Sequence, residues 1–493
     1  MAGRKEQEAQ HSEASRDASR DESGDGVQHG KANPGQVLAI VCVGMVLANL
    51  DLFIVNVGLP NIAAEFHDGK LEHLSWILNA YTITYASLLV FFGRLAERYR
   101  RDVSFLLGIG MFTLASAACA AVNSIEMLVF FRVIQAAAAA LMTPTSLGLL
   151  LASYKPESRG AAVRTWTAIG GLGAAIGPLV GGVLVTASWR WIFLVNVPVG
   201  VVALIIGWRR LPHIKGHGTG KPDGLAAVLV TVGIACLTFA IVKFNDWGWR
   251  SWQIQLSFIV AIVFLAWFVQ HCRKARNPLI DPALFRIREF MGASLVMAPF
   301  AAAFGALLLS VVLWDQSVWG WSALSIGLAM APGPLLVPLV SVVFSKRLIA
   351  KFGAANVVIA GISSFAVGVV WWSLVPHAVP NAWAAVIGMV PIGIGVGLTL
   401  PTLMGVGTSA LPPSSFATGS GAINMIRQAA MAIGVAVLVA ILGSPESVPE
   451  RIASFRLAWW IMAIITLSAI VPTLLFVRAK KGKPEVLQTR PSV

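Results

Sequence analysis

The sequence predicts an all-α polytopic membrane protein with fourteen transmembrane helices. Of its 493 residues, 57% are hydrophobic and only 12% are charged, whereas soluble domains carry about 25% charged residues. The charged residues fall in short tracts between apolar runs of about 18–25 residues, the length needed to cross a bilayer. These runs must be helical because lipid offers no partner to backbone N–H and C=O groups. The alternating pattern of a transmembrane β-barrel is absent.

The apolar runs define the helices in order along the chain. Six runs come first, a pair follows, and six more complete the set. The twelfth run contains Pro391 and Pro401, which predicts a kinked or broken helix. The predicted spans are 36–60, 74–93, 103–122, 127–152, 161–186, 191–208, 225–244, 254–272, 291–314, 325–345, 355–374, 382–405, 416–441 and 457–477.

Lysine and arginine are distributed unevenly between the two sides of this topology. The termini and the connections on their side hold 29 of the 37 basic residues. The positive-inside rule therefore predicts cytoplasmic termini for a multi-pass protein of the plasma (inner) membrane. The net charge of +14 is mostly a topology signal. It does not predict nucleic-acid binding, which requires a basic face on a folded domain.

A short repeat suggests two related halves. Residues 94–99 (RLAERY) follow the second run and residues 347–352 (RLIAKF) follow the tenth, at corresponding positions of two six-helix sets. Duplicated halves are a recurring transporter design, although two basic loops can also match by chance. The predicted organisation is a disordered cytoplasmic tail 1–33, a six-helix bundle 34–208, two inserted central helices with flanking loops 209–290, a second six-helix bundle 291–478 with pseudo-twofold symmetry to the first, and a cytoplasmic tail 479–493.

Few ionisable residues lie within the apolar runs. Each costs about 2.5–3.5 kcal/mol at a helix centre and therefore needs a partner or a function. Asp51 and Arg132 lie at comparable depths, so an ion pair across a central cavity is geometrically possible. Burial opposes ionisation of Asp51 and a nearby cation favours it, a balance that suits a group exchanging protons. A fixed structural contact between helices is the alternative.

Other polar residues near these depths are candidate substrate contacts. Arg427 suits either an anionic group or the free carbonyls of a broken helix, and both interpretations stay open. Asp315 beside Trp314 suits a cationic, apolar ligand, but acids are also common at helix ends. No nucleophile, general base or metal-ligand cluster predicts an enzyme or a cofactor. The candidate substrate-binding residues are Asn56, Asn79, Tyr81, Gln135, Trp314, Asp315, Asn424 and Arg427.

Four strings in the chain match motifs of a known family. They are Leu50–Pro60 (LDLFIVNVGLP), Gly93–Arg101 (GRLAERYRR), Arg132–Gln135 (RVIQ) and Gly173–Gly182 (GAAIGPLVGG), the last continued by WRWIF and NVPVG. Over about residues 36–478 the sequence resembles the fourteen-helix drug:proton antiporter branch of the major facilitator superfamily. It departs from the family at Glu97, where Asp is usual, at Arg100, where Gly is usual, and at Asp102, where a basic residue is common.

The resemblance implies a proton-coupled exporter of multiple drugs or hydrophobic compounds that works by alternating access, without a cofactor and as a monomer. Its expected partners are a small amphipathic substrate, protons and the bilayer. An exporter of one endogenous metabolite and a ligand sensor that does not transport remain alternatives. The implied residues are Asp51 and Arg132 for proton coupling; Gly93, Glu97, Arg98 and Arg101 for a gating loop; and Gly173, Gly177, Pro178, Gly181 and Gly182 for the antiporter motif.

Overall fold

The computed structural model describes residues 33–66, 71–214, 223–275, 278–375, 378–411, 416–443, 445 and 447–477. Both predicted tails lie outside these ranges, apart from Asn33. All regular structure in the described ranges is helical, as predicted. The long helices are α1 Pro34–Phe66, α2 Leu71–Arg98, α3 Arg101–Ala121, α4 Ile125–Ser153, α5 Pro156–Val185, α6 Trp191–Leu194 with Asn196–Arg210, α7 Gly224–Val242, α8 Trp252–Lys274, α9 Arg288–Ser317, α10 Ala323–Met330 with Pro332–Leu339 and Ser345–Phe352, α11 Ala354–Leu374, α12 Ala382–Ser409, α13 Phe416–Leu442 and α14 Val448–Ser468 with Ile470–Phe476.

Three shorter segments complete the helical structure. A single turn occupies Phe244–Trp247, a 3-10 helix occupies Pro282–Arg286, and a π-helical turn at Val340–Phe344 interrupts α10. Thirteen stretches of the described residues are long and apolar enough to cross a membrane. They agree with thirteen predicted spans. The span predicted at 161–186 falls on α5, where several side chains lie outside the described part, so the count of fourteen stays a prediction.

Side-chain caps fix where several helices begin. The first N–H groups of a helix have no partner within it, and a Ser, Asp or Asn side chain can accept from one of them. Ser124 Oγ accepts from the N–H of Met127 at 3.2 Å, before α4. Asn381 Oδ1 accepts from the N–H of Ala384 at 3.1 Å, before α12. These two helices therefore begin at a polar residue that lies just before the apolar run.

Of the two forms predicted for the twelfth helix, kinked or broken, the broken one is wrong, because α12 runs without interruption from Ala382 to Ser409. Pro401 lacks an N–H and cannot bond the carbonyl of Gly397, four residues earlier. The hydroxyl of Ser345, on α10, lies 3.4 Å from that carbonyl oxygen and 3.3 Å from the carbonyl oxygen of Val340 in its own helix, so its one proton is shared between the two. A neighbouring helix therefore satisfies the group that the proline releases, as membrane helices require.

The helices pack in two sets of six. In the first set, α1 packs on α4, α5 and α6, α4 packs on α2 and α3, and α3 packs on α6. In the second set, α9 packs on α12, α13 and α14, α12 packs on α10 and α11, and α11 packs on α14. Each contact in the first set has its counterpart eight helices later. The two sets meet along α2–α13 and along α5–α10, which we call the two seams.

The pair α7–α8 lies outside both sets. Helix α7 packs on α2 and α13, over one seam, and on α8. Only 11% of the most apolar stretch of α8 is buried inside the protein. Below, the basic end of the molecule is the one that carries the α2–α3 and α10–α11 connections. The tryptophan-rich end is the opposite one, with Trp189 and Trp319.

Candidate functional site

A group of five polar side chains lies buried in the first helix set. Asp51 comes from α1, Ser116 from α3, Arg132 and Gln135 from α4, and Asn196 from α6, and none of them is exposed. Each of these residues lies on the inner face of a mostly apolar helix, which carries only one or two such polar side chains there. We call this group the Asp51 cluster.

The carboxylate of Asp51 is bound on both oxygens. Arg132 Nη1 forms an ion pair and hydrogen bond with Oδ2. Oδ1 accepts from Gln135 Nε2 at 2.8 Å and from Asn196 Nδ2 at 3.2 Å. The predicted pairing of Asp51 with Arg132 is therefore present in the structure, and two amides complete the environment of a buried charge, as burial requires.

Gln135 and Ser116 connect the members of the cluster. Gln135 Oε1 accepts from Arg132 Nη1 at 2.7 Å, so this residue contacts both charges. Ser116 Oγ accepts from Gln135 Nε2 at 2.7 Å and lies 3.5 Å from Asn196 Nδ2. A change in the charge of Asp51 therefore alters hydrogen bonds on α1, α3, α4 and α6 together.

Aromatic rings flank the guanidinium of Arg132. Its central carbon lies 4.1 Å from the ring centre of Tyr81 and 5.8 Å from that of Phe193, distances at which cation–π attraction operates. Its Nε donates to the carbonyl of Ile77 at 3.3 Å. Its Nη2 is buried and has no hydrogen-bond partner among the described residues.

A stacked pair of tyrosines leads from Arg132 toward the second helix set. The rings of Tyr81 and Tyr85 lie 6.1 Å apart and nearly parallel. Tyr85 lies within electrostatic reach of Arg427, on α13. The Nε of Arg427 is buried without a hydrogen-bond partner in the described part of the chain, and Asn424, one turn earlier, donates to its own helix at Ser420. The predicted residues Tyr81, Asn424 and Arg427 thus lie along the α2–α13 seam.

Two predicted asparagines behave differently. Asn56 Nδ2 donates to the carbonyls of Leu52 and Phe53 in its own helix, at 3.3 and 3.4 Å. Asn79, on α2, is fully buried, and neither atom of its amide has a hydrogen-bond partner among the described residues. Asn79 therefore keeps unused hydrogen-bonding capacity at membrane depth, whereas Asn56 does not.

Trp314 and Asp315 lie apart from the Asp51 cluster, near the tryptophan-rich end of α9. Both are fully buried. No hydrogen bond, ion pair or ring contact among the described residues joins them to Asp51 or Arg132. The structure therefore does not bring all predicted substrate residues into one group.

Several described residues at or next to the predicted gating loop make charged contacts. Asp102 Oδ2 binds Arg100 Nη2 at 2.6 Å and lies 2.9 Å from His213 Nδ1, which follows α6. Arg101 Nη1 donates to the carbonyl of Gly148, on α4, at 3.3 Å. Gly93 packs near Pro144 and Arg98 stacks beside Tyr99. The side chain of Glu97 lies outside the described part.

The glycines of the predicted antiporter motif allow close helix contact. A Cβ on Gly173, Gly177 or Gly181 would meet atoms of α1 within about 3 Å; their four-residue spacing places them on one face of α5. A Cβ on Gly182 would lie 2.7 Å from the carbonyl oxygen of Ala323, on α10. A Cβ on Gly327 of α10 would lie 2.6 Å from the carbonyl oxygen of Pro178. The motif residues thus lie on the faces of α5 that contact α1 and α10.

Sequence reasoning missed Ser116, Asn196 and Tyr85 as site residues. Ser116 and Asn196 were visible only as single small polar residues in apolar runs, a pattern shared by many residues that merely bond their own helix. Tyr85 lies four residues after Tyr81, on the same helix face. That spacing was the signal that could have identified it.

Comparisons with known proteins show which family and which overall fold this chain resembles. The sequence model of the Major Facilitator Superfamily matches residues 41–435. A methylenomycin A resistance protein of Bacillus subtilis (strain 168) is 30% identical over 417 residues, 83% of this chain and 88% of that protein. A cephamycin export protein of Amycolatopsis lactamdurans is 31% identical over 466 residues, 92% of this chain and 95% of that protein. The crystal structure of an auto-inhibited peptide transporter of the POT family matches with a TM-score of 0.66 at 15% identity, over 92% of this chain and 99% of that one.

Proposed function

Because this chain belongs to the major facilitator superfamily, we propose that it exports small hydrophobic or amphipathic compounds in exchange for protons. The names of its relatives, which mention resistance to methylenomycin A and export of cephamycin, support antibiotic-like molecules as the substrate class. Alternating access of a central pathway to the two sides of the membrane is the transport mechanism.

The fully buried ion pair between Asp51 and Arg132 supports proton coupling most directly. A proton on Asp51 removes the charge that Arg132 balances and weakens the bonds donated by Gln135 and Asn196. Four helices then change their contacts at once. A proton arriving from outside displaces the substrate in this way, and its loss toward the cytoplasm resets the site.

The substrate site lies between the Asp51 cluster and α13. Tyr81 and Tyr85 offer stacked aromatic surface, and Arg427 Nε and the amide of Asn79 have no hydrogen-bond partner in the described ranges. A site with aromatic walls and few polar groups suits amphipathic compounds of varied structure. Gln135 and Asn424 border this region, while Asn56 and Trp314 belong to its periphery.

The packing supports a molecular organisation of two six-helix bundles, 34–208 and 291–478, related by a pseudo-twofold axis, with the pair within 209–290 inserted between them. The protein functions as a monomer with fourteen spans and cytoplasmic termini at the basic end. Gly93, Glu97, Arg98 and Arg101 stabilise one end state there, and the contacts of Asp102 with Arg100 and His213 support this role.

Proton movement in inside-out vesicles with an acid interior tests the proposal. Lipophilic cations and neutral drugs are added in turn to vesicles holding the parent protein, Asp51→Asn or Glu289→Gln. Glu289 is a carboxyl at the basic end of α9 and serves as the matched control. We expect substrate-dependent proton release in the parent and in Glu289→Gln, and none in Asp51→Asn.

The other outcomes separate the alternatives. Release for a single compound, with none for the drugs, would indicate an exporter of one metabolite. Binding of compounds without any proton release would indicate a sensor. Full release in Asp51→Asn would remove Asp51 from the coupling mechanism.

A further inference from the structure

Asp315 is a buried carboxyl that takes no part in the proton exchange proposed at Asp51. Its side chain is 0% exposed. Neither carboxylate oxygen has a hydrogen-bond partner among the described residues, and no ion pair reaches it. An ionised carboxylate in such a place is strongly disfavoured, whereas the neutral acid is tolerated. In this conformation, the group therefore carries a proton.

Aromatic rings cluster around Trp314, the residue that precedes Asp315 in α9. We call Trp314, Trp319, Trp372, Phe455 and Trp459 the tryptophan cluster. The ring of Trp314 lies 5.1 Å from that of Trp459 and 5.5 Å from that of Phe455. Trp372 lies 5.7 Å from Trp459. The cluster joins α9, α11 and α14 beside Asp315, so movement of these helices at the tryptophan-rich end would admit water to the carboxyl from that side.

Charged groups on the neighbouring helices do not compensate Asp315. Helix α1 carries Glu65, which binds Arg190 at 2.6 Å. The parts of α10 and α12 that face the end of α9 carry no titratable residue, and α13 carries only Arg427, fifteen residues before its end. The first turns of α14 carry Glu450, Arg451 and Arg456; Arg451 donates to the carbonyl of Ser317 at 3.2 Å, and none of the three bonds to Asp315.

A cavity lies beside the end of α9 that carries Asp315. It measures about 280 Å³ and lies between α1 and α2 on one side and α9, α13 and α14 on the other. Leu313 and Ser317 line it, and Asp315, two residues from each, points to the opposite side of α9. Phe455 borders both this cavity and Trp314. A displacement of α14 at Phe455 would therefore bring water toward the tryptophan cluster.

We propose that Asp315 is a second proton-carrying carboxyl, so that two protons move for each exported substrate molecule. It binds a proton from water while the tryptophan-rich end is open and retains it in the closed conformation seen here. Once the basic end opens and water enters from that side, the carboxyl O–H bond breaks and the proton passes to water. The stoichiometry of two protons rests on the proposed export function. The protonation of Asp315 does not depend on that function.

Infrared spectroscopy tests the protonation without any substrate. The full-length protein is placed in lipid nanodiscs, and the C=O stretching band of protonated carboxyl groups is followed as the pH is raised. We expect a band that disappears reversibly in the parent and in Asp51→Asn and that is missing in Asp315→Asn. If Asp315→Asn does not fold, Asp315→Glu should keep the band at a shifted frequency. The absence of an Asp315-dependent band, or a band that persists at alkaline pH, would overturn the proposal.

Coupling stoichiometry provides the second test. At zero membrane potential, a tenfold gradient of a neutral drug is balanced by about 0.5 pH units if two protons move and by about 1 pH unit if one moves. In proteoliposomes we expect about 0.5 for the parent and about 1 for Asp315→Asn. Equal values in the two proteins would overturn the second carrier. A parent protein that moves no compound would contradict the export function, while the infrared band would still decide whether Asp315 exchanges a proton.

Discussion

At the start of the longer part of α6, the amide of Asn196 binds a carboxylate on another helix. Its Nδ2 donates to Asp51 Oδ1 at 3.2 Å and lies 3.5 Å from Ser116 Oγ. Its Oδ1 has no partner in the described ranges. This one side chain therefore connects α6 to α1 and α3, and its removal would change the charge environment of Asp51 without removing either charge.

Replacing Asn196 by Leu should impair coupling. Hydrogen bonds to charged groups contribute about 1.5–3 kcal/mol, which corresponds to a factor of about 10–150. We expect substrate-dependent proton release from inside-out vesicles to fall by about tenfold or more, with the amount of protein in the membrane unchanged.

Asn49→Leu is the matched control for this prediction. Asn49 lies on α1, two residues from Asp51, and among the described residues its Nδ2 donates only to the carbonyl of Met45 in its own helix, at 3.0 Å. Its replacement should leave proton release near the parent value. Equal rates for Asn196→Leu and Asn49→Leu would contradict the role of Asn196.

At this scale, the sequence identified charges better than neutral groups. Asp51 and Arg132 were predictable because an ionisable residue at membrane depth is costly and rare. Gln135 follows from its spacing, three residues after Arg132. Ser116 and Asn196 were not predictable, since only the packing of α3 and α6 against α1 decides that they face the carboxylate rather than their own helix.

Among the helices, α5 has the closest contacts across a seam. Gly182 lets its backbone approach Ala323 of α10 so closely that an added Cβ would lie 2.7 Å from the carbonyl oxygen of Ala323 and 3.2 Å from Leu324 Cα. Backbone atoms cannot move aside as the end of a flexible side chain can. A methyl group at this position must therefore push α5 and α10 apart.

Gly182→Ala should destabilise this closed conformation. Overpacking of this kind costs about 1–3 kcal/mol. We expect a lower thermal unfolding midpoint in detergent and a slower transport rate than in the parent. Gly405→Ala, on α12, is the control because a Cβ there would meet nothing within 4 Å. Parent-like stability and rate in Gly182→Ala would show that the seam tolerates separation.

At the scale of elements, helices were predictable from length and hydrophobicity, but their interruptions were not. Lipid enforces helical structure on any long apolar run, so the predicted runs and the observed helices agree. The carbonyl that Pro401 leaves unbonded lies near Ser345, which is 56 residues earlier in the chain than Pro401 and contacts Gly397 only in the folded protein. The interruptions instead fall in α6, α10 and α14.

At the scale of the whole molecule, transport by alternating access requires the two helix sets to separate at one end at a time. They touch near the basic end, where a Cβ on Gly421 of α13 would lie 3.4 Å from Val90 Cγ2 and 4.0 Å from Val90 Cα, on α2. These distances suit a disulfide between cysteines at the two positions.

Cross-linking Val90→Cys to Gly421→Cys should therefore stop transport. The four native cysteines, Cys42, Cys119, Cys236 and Cys272, form no disulfide in the described part of the chain and would be replaced first. We expect oxidation to reduce export to background and a reductant to restore it, with each single-cysteine variant insensitive to oxidation. Parent-like export by the cross-linked protein would mean that the sets do not separate at this seam.

The overall organisation was only partly readable from the sequence. The repeat at residues 94–99 and 347–352 indicated two related halves because it marks the same connection in each. Nothing in the sequence indicated that α7 would pack on both α2 and α13, because an apolar helix in lipid carries no periodic signal for its partners. The structure assigns that position.

The position of α7 means that the two seams differ in how far inserted helices cover them from the lipid. Along α2–α13, α7 packs on both helices, with α8 outside it, whereas in the described part no inserted helix packs on α5–α10. A hydrophobic compound dissolved in the bilayer can therefore approach the boundary between the two helix sets directly from only one flank. We therefore expect compounds that enter from the bilayer to do so at the α5–α10 flank, because the inserted pair covers the α2–α13 flank.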